Sequence, residues 1–157
     1  MAKKNELITN DGFEQASVED REIFEKREIT VNLSDLRNAE NATYCSLPAT
    51  TREEKLAIFS MVQNPTKDLK DIINVPFKLQ NVYVEVITLE DGSIAPRILL
   101  ITYKGESYQC VSFGMFNNIK KLFSLMGEPP YTEPINVVAK MVSTKKGQTY
   151  TLDIVKQ

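Results

Sequence analysis

The sequence predicts a mainly β domain with helices, in which five strands form a small barrel behind an N-terminal extension. Apolar and polar residues alternate through much of the C-terminal half, at the two-residue period of a β-strand. Clusters of Gly, Asp and Pro separate these runs and predict turns. One apolar pattern at helical spacing interrupts the strands. The predicted barrel therefore has one helix between its third and fourth strands.

The composition is that of a globular protein. The chain has 157 residues, of which 42% are hydrophobic and 25% are charged, enough for one domain with its own core. No run approaches the roughly 20 apolar residues of a membrane span, and the first residues lack the apolar core of a signal peptide. We expect an intracellular protein with no membrane contact, in which Cys45 and Cys110 are buried or half-buried reduced thiols.

The absence of histidine excludes many enzyme classes. A histidine-based triad or general base cannot form, and two cysteines cannot complete a structural zinc site. The acidic pairs Glu53-Glu54 and Glu90-Asp91 lie at a predicted helix start and in a predicted turn, so neither converges with groups from other elements on a metal ion. We expect no catalytic residues, no metal and no cofactor.

The N-terminal part is predicted in two regions. Residues 1–27 are polar and acidic without a sustained period, which predicts a flexible acidic arm. Residues 28–157 form one domain, in which 28–74 supply a strand and helices and 75–157 form the barrel. The strand is predicted at 28–33, where apolar and polar residues alternate.

Two helices are predicted before the barrel. Thr50, followed three residues later by Glu53, forms a capping box at the start of the first helix. Asn64-Pro65 ends that helix because proline cannot continue it. A second, short helix is predicted from Lys67 to Ile73, with Thr66 as its cap.

The first three barrel strands follow from alternation and turn signals. In the first strand the valines from Val82 to Val86 share one face, whereas Tyr83 and Glu85 lie on the other. Asp91-Gly92 predicts the first turn and Lys104-Gly105 the second. The three strands are predicted at 77–88, 97–103 and 106–113.

The helix and the last two strands complete the barrel. Phe116, Ile119 and Phe123 recur at helical spacing and are expected in the core, and Gly127 stops the helix. The helix is predicted at 115–126, and the strands at 135–142 and 149–155 with a hairpin at 144–147.

Strand, strand, strand, helix, strand, strand is the order of an OB-fold. That fold binds oligonucleotides with its second and third strands and the loops that join strands 1-2 and 4-5. Other OB-folds bind saccharides or proteins, so fold alone does not choose the ligand.

Several runs resemble a known family. Asn81–Val86, Ala95–Leu100, Tyr108–Phe116 and Gly127–Pro129 resemble small single-stranded-DNA-binding proteins of bacteriophages that infect Gram-positive bacteria. The resemblance extends from Lys67 to the C-terminus. It implies sequence-independent binding of single-stranded DNA in replication or recombination in the host cytoplasm, and leaves replication proteins and further copies of the chain open as partners.

Candidate DNA contacts are aromatic rings and cations on the binding strands and loops. The chain has no tryptophan, so stacking on bases would fall to tyrosines. Each tyrosine could instead cover a strand edge, and each lysine could belong to a solvated hairpin tip. The aromatic candidates are Tyr83, Tyr103 and Tyr108, and the cationic candidates are Arg97, Lys104, Lys145 and Lys146.

Charge is distributed unevenly, although the net charge is -2. Residues 1–74 hold 10 Lys/Arg against 14 Asp/Glu, whereas residues 75–157 hold nine against seven. The predicted barrel is therefore slightly basic, as contact with phosphates requires. The alternative is a protein-interaction module that binds a host or replisome protein without DNA. Salt would separate the two, because phosphate contacts weaken steeply from about 50 to 200 mM salt. A nuclease is disfavoured because no site assembles.

Overall fold

A computed structural model describes residues 42–145 and 147–157. The predicted acidic arm, the predicted strand at 28–33 and Lys146 lie outside the described residues. The described residues are mainly β, as predicted, and form a curled half-barrel sheet with two α-helices. The strands are β1 (Thr43–Cys45), β2 (Lys67–Asp68), β3 (Phe77–Thr88), β4 (Ile94–Thr102), β5 (Ser107–Val111), β6 (Ile135–Thr144) and β7 (Gly147–Ile154), and the helices are α1 (Arg52–Gln63) and α2 (Phe113–Met126).

The sheet contains the predicted succession and two further strands. Strands β3, β4 and β5 precede α2, and β6 and β7 follow it. The hydrogen-bonded order is β2-β5-β4-β3-β6-β7, and β1 also pairs with β3. Along one edge of β3, β6 pairs with Phe77–Leu79 and β1 pairs with Tyr83–Glu85. Within residues 42–145 and 147–157 the sheet thus has seven strands, whereas five were predicted.

The predicted helix at Lys67–Ile73 is wrong in its first two residues. These residues form β2, which pairs in parallel with β5, and only Leu69–Ile72 turn into a short 3-10 helix. Thr66 does not cap a helix. Its amide N–H donates to Ser107 Oγ at 3.2 Å, and its Oγ1 accepts from the amide N–H of Ser107 at 3.0 Å. These reciprocal bonds join segments distant in sequence, which local propensity cannot show.

The capping box at the start of α1 lies one residue later than predicted. Thr51 Oγ1 accepts from the amide N–H of Glu54 at 3.1 Å, and Glu54 Oε1 accepts from the amide N–H of Thr51 at 2.9 Å. Hydrogen bonds from the amides of Thr51 and Thr50 lower the pKa of the Glu54 carboxyl. Because two threonines precede two glutamates, both registers satisfy the sequence pattern.

The core lies where the sheet packs against α2. Val82 and Val84 of β3 are fully buried there, as their alternation predicts, and so are Phe116 and Ile119 of α2. Tyr44 of β1 enters the same core with 2% of its surface exposed. The N-terminal extension therefore contributes to the barrel's own core.

Cys45 and Cys110 are both free and buried, which confirms the prediction that both are buried or half-buried. Burial raises the pKa of the Cys110 thiol to about 12, and burial also raises the pKa of the Cys45 thiol. A raised pKa lowers the fraction of each thiol that is ionised at neutral pH, and the thiolate is the reactive form.

Gly114 allows α2 to approach β7 closely. A Cβ at this position would lie against Thr149 Oγ1 closer than real Cβ atoms come, and 2.9 Å from the carbonyl oxygen of Tyr150. Rotation of the Thr149 side chain would relieve only part of the contact, because the carbonyl oxygen of Tyr150 belongs to the backbone.

We expect Gly114→Ala to destabilise the protein by about 1–3 kcal/mol, because overpacking shifts α2 from β7. Helix propensity alone predicts the opposite effect, an increase in stability of about 0.5–1 kcal/mol. Urea denaturation measures the difference, and Asn117→Ala, at an exposed position of the same helix, is the control. A more stable Gly114→Ala protein would show that the close approach is not required.

Candidate nucleic-acid interface

An exposed tyrosine with two nearby lysines lies where β4 turns into β5. Tyr103 is 49% exposed. The ammonium nitrogen of Lys78 lies 5.6 Å from the centroid of the Tyr103 ring, and that of Lys104 lies 5.8 Å from it. Both distances are within cation-π range. We call Lys78, Tyr103 and Lys104 the aromatic-basic cluster.

The local backbone explains how the cluster forms. The β3-β4 register shifts between Leu79 and Asn81, and a bulge of this kind redirects the side chains beside it. The amide N–H of Tyr103 donates to the carbonyl oxygen of Lys78 at 3.1 Å. Thr102 Oγ1 accepts from the amides of Lys104 and Glu106, which holds the hairpin.

The cluster unites two predicted site residues with one that the sequence analysis missed. Tyr103 and Lys104 were predicted, and Lys78 was not. Lys78 is the second residue of β3, and alternation places it on the face opposite Phe77 and Leu79. Its proximity to Tyr103 depends on the bulge, which no residue pattern marks.

A second basic position lies at the tip of a two-stranded ribbon. Strands β6 and β7 pair from Val137↔Ile154 to Thr144↔Gly147, and the residues from Lys140 onwards in β6 are exposed. Lys145 lies exposed in the turn. Of the two predicted tip lysines, Lys145 is therefore available to a ligand, and Lys146 is outside the described residues.

Two predicted stacking residues pack against protein instead. Tyr83 lies on the face opposite the valines, as predicted, but is only 8% exposed, and its hydroxyl donates to Glu85 Oε1 at 2.7 Å. Burial and this hydrogen bond raise the pKa of the Tyr83 hydroxyl. Tyr108, also 8% exposed, packs edge-on against Phe77 with ring centroids 5.1 Å apart. In this conformation neither ring is open to a base.

Arg97 is engaged by protein groups. Its Nη1 lies 3.3 Å from Glu85 Oε2, and its Nε and Nη2 donate to Gln109 Oε1 at 3.1 and 2.7 Å. Nη2 also donates to the carbonyl oxygen of Val62, in the last turn of α1, at 2.8 Å. The side chain is 15% exposed. Gln109 in turn donates to Asp68 Oδ1 at 2.6 Å. The network connects α1, β2, β3, β4 and β5.

The described residues contain neither a metal-ligand cluster nor a membrane-spanning helix. Within residues 42–145 and 147–157, no three His, Cys, Asp or Glu side chains lie together as metal ligands would. None of the helices there has the length and apolarity to cross a membrane.

One comparison with known proteins identifies a family. The family model described as phage single-stranded DNA-binding protein, of the phi29 phage type, matches residues 37–155, most of the chain. No curated protein and no solved structure matches.

Proposed function

Because the chain belongs to the phi29-type family of phage single-stranded DNA-binding proteins, we propose that it coats single-stranded DNA without sequence preference. It does so in the host cytoplasm during phage DNA replication or recombination. The observation that supports this mechanism best is the aromatic-basic cluster, which combines an exposed ring with two cations. Stacking surfaces and cations are what sequence-independent binding of single strands requires.

Base stacking falls to Tyr103. Its ring is half exposed, so an unpaired base can lie against it, a contact worth about 1–3 kcal/mol. Every base has a flat π-surface, so the contact does not select a sequence. Bases in a duplex are already stacked on their neighbours, so the site prefers single strands.

Phosphate contacts fall to lysines. The ammonium groups of Lys78 and Lys104 lie 5.6 and 5.8 Å from the centroid of the Tyr103 ring, so they can meet the phosphates beside a base stacked there. Lys145, at the ribbon tip, corresponds to the loop between the last two strands, with which OB-folds hold oligonucleotides. These contacts make binding depend on salt.

Titration of the purified protein with fluorescent poly-dT, with duplex of equal length in parallel, tests the proposal. We expect much tighter binding to the single strand and an affinity that falls steeply as salt rises from about 50 to 200 mM. Equal affinity for both forms would contradict it. Absence of binding to either form would favour the protein-interaction alternative.

Removal of the ring and removal of the lysines should weaken DNA binding in different ways. We expect Tyr103→Ala to lose about 1–3 kcal/mol of binding free energy at every salt concentration, because stacking depends little on ions. Lys78→Ala with Lys104→Ala should reduce the slope of log K against log salt by about 0.7 per lost phosphate contact. Affinity measured at four or more salt concentrations separates these effects.

Matched variants control for folding and for general charge. Tyr103→Phe retains the ring and should bind like the parent. Lys121→Ala removes an exposed lysine from α2, outside the cluster, and should change the slope little. If the Tyr103→Ala protein is folded and binds DNA normally, bases stack on another surface of the protein.

A further inference from the structure

Helix α1 presents apolar side chains on its outward side. Ile58, Met61 and Val62 follow one another at helical spacing and are half-buried, so they form the inward side. Leu56 and Phe59 lie elsewhere on the helix and are 53% and 64% exposed. We call Leu56 and Phe59 the α1 ridge. An amphipathic helix that is already half covered does not need a second apolar surface for its own folding.

A groove of complementary character lies at the end of α2. Its volume is about 630 Å³. Leu125, Met126 and Ile154 line it and are 84%, 59% and 55% exposed. Pro134 and Leu122 extend the aliphatic lining. We call this the α2-β7 groove.

Hydrogen bonds fix one wall of the groove. The amide N–H of Asn136 donates to Gln157 Oε1 at 2.9 Å, and Gln157 Nε2 donates back to the carbonyl oxygen of Asn136 at 2.9 Å. Asn136 Nδ2 donates to the carbonyl oxygen of Lys156 at 3.0 Å. The chain end is therefore held along β6, and the groove is formed before any ligand arrives.

We propose that the α1 ridge of one copy of this chain docks in the α2-β7 groove of the next copy. The two surfaces share no residues, and both are open in a single chain. A contact between two different surfaces is head-to-tail, so it can continue from copy to copy instead of ending at a dimer. An amphipathic helix in an apolar groove is a recurrent mode of protein recognition.

The chemistry of the groove favours a protein side chain over a nucleobase. Bases bind to flat aromatic surfaces, whereas the apolar part of this lining consists of aliphatic side chains and a thioether, with no aromatic ring. Such a surface suits the Phe59 ring, because methionine sulfur makes favourable contacts with aromatic rings.

One pair of charges at the two surfaces is complementary. Arg52 lies four residues before Leu56 and therefore on the same side of α1. Glu133 lines the groove and is exposed. Docking of the ridge would bring this cation and this anion to the same contact.

The position of the groove connects self-association with DNA binding. Lys78 lines the groove and also belongs to the aromatic-basic cluster. A copy docked there lies beside the DNA contact of its neighbour. The purpose of the contact rests on the proposed function, since a head-to-tail row of copies would coat a single strand cooperatively.

Sedimentation velocity of the full chain without DNA tests the contact directly. We expect the parent protein to associate as concentration rises, and Phe59→Ser, Leu56→Ser and Leu125→Ser each to weaken association about tenfold or more. Val75→Ser, at another exposed apolar position (52%), should associate like the parent. Circular dichroism verifies that each variant is folded.

Mixing the variants distinguishes a head-to-tail contact from a symmetric one. Phe59→Ser retains its groove, and Leu125→Ser retains its ridge. Their mixture should form dimers, because one intact pair of surfaces exists, and nothing larger. A parent that stays monomeric at its highest soluble concentration, variants that associate like the parent, or a mixture that does not recover dimers would each overturn the proposal.

DNA length separates this proposal from the proposed function. An oligo-dT of about 10 nucleotides, within the range occupied by one OB-fold, should bind Phe59→Ser and Leu125→Ser as it binds the parent. Poly-dT should bind the two variants less cooperatively. Loss of oligo-dT binding by Leu125→Ser would make the groove a DNA contact and overturn the docking proposal. Failure of the parent itself to bind oligo-dT would reject the proposed function, while sedimentation without DNA still decides the contact.

Discussion

Tyr44→Ala should destabilise the protein by about 3–5 kcal/mol, the range found when a large buried aromatic side chain is removed. The ring is 2% exposed and lies 5.6 Å from that of Phe123, centroid to centroid. Its hydroxyl donates to Glu128 Oε1 at 3.0 Å. Whole domains are stable by only about 5–15 kcal/mol, so this one change should remove a large part of the total. Urea denaturation followed by circular dichroism measures the loss.

Two controls assign the loss to the core position of the ring. Tyr44→Phe removes only the hydroxyl and should cost about 0.5–1.5 kcal/mol. Thr43→Ala changes the neighbouring residue, whose side chain points to the other face of β1 and is half-buried, and should have a small effect. If Tyr44→Ala unfolds at the same urea concentration as the parent, β1 is not part of the cooperative core.

Arg97→Met should destabilise the protein by about 3–5 kcal/mol, because it leaves a largely buried carboxylate without its cation. Glu85, the partner at 3.3 Å, is 24% exposed, and the change also removes the hydrogen bond to Val62. Under conditions where the variant is folded, its DNA affinity and its salt slope should match those of the parent. Urea denaturation and salt-dependent titration measure the two quantities.

A matched ion pair and a double variant control this experiment. Lys140→Ala breaks the pair with Asp153, in which both side chains are about half exposed, and should cost about 0–1 kcal/mol. Glu85→Gln combined with Arg97→Met should lower the free energy of unfolding by less than the sum of the two single changes, because the double variant retains neither charge of the pair. A stable Arg97→Met protein with a reduced salt slope would instead support the predicted phosphate contact.

Local sequence patterns were sufficient to predict much of the fold. Strand β3 has its predicted bounds, and its alternation placed Val82 and Val84 in the core and Tyr83 on the opposite face. Helix α2 ends at Met126, before Gly127, as predicted. It begins at Phe113, two residues earlier than predicted, because Ser112 Oγ accepts from the amide N–H of Met115 at 3.0 Å. Such features depend on residues a few positions apart, which the sequence displays directly.

The candidate site was predicted only in part, because exposure depends on contacts that are distant in sequence. Alternation determined the face on which Tyr83 lies, yet it could not show that this face is also covered. It likewise could not show that Arg97 meets α1 through the carbonyl of Val62, 35 positions earlier. Rings and cations that look alike in sequence thus differ in their availability to DNA.

The sequence by itself determined the succession of strands and helix, the hairpin that carries Tyr103 and Lys104, and the resemblance to the family. Only the tertiary structure decided that β1 and β2 join the sheet and that Lys78 lies beside Tyr103. The physical reason is the distance along the sequence over which each kind of interaction acts. Periodicity and turn chemistry act over a few residues, whereas edge pairing, bulge position and burial follow from which distant segments meet.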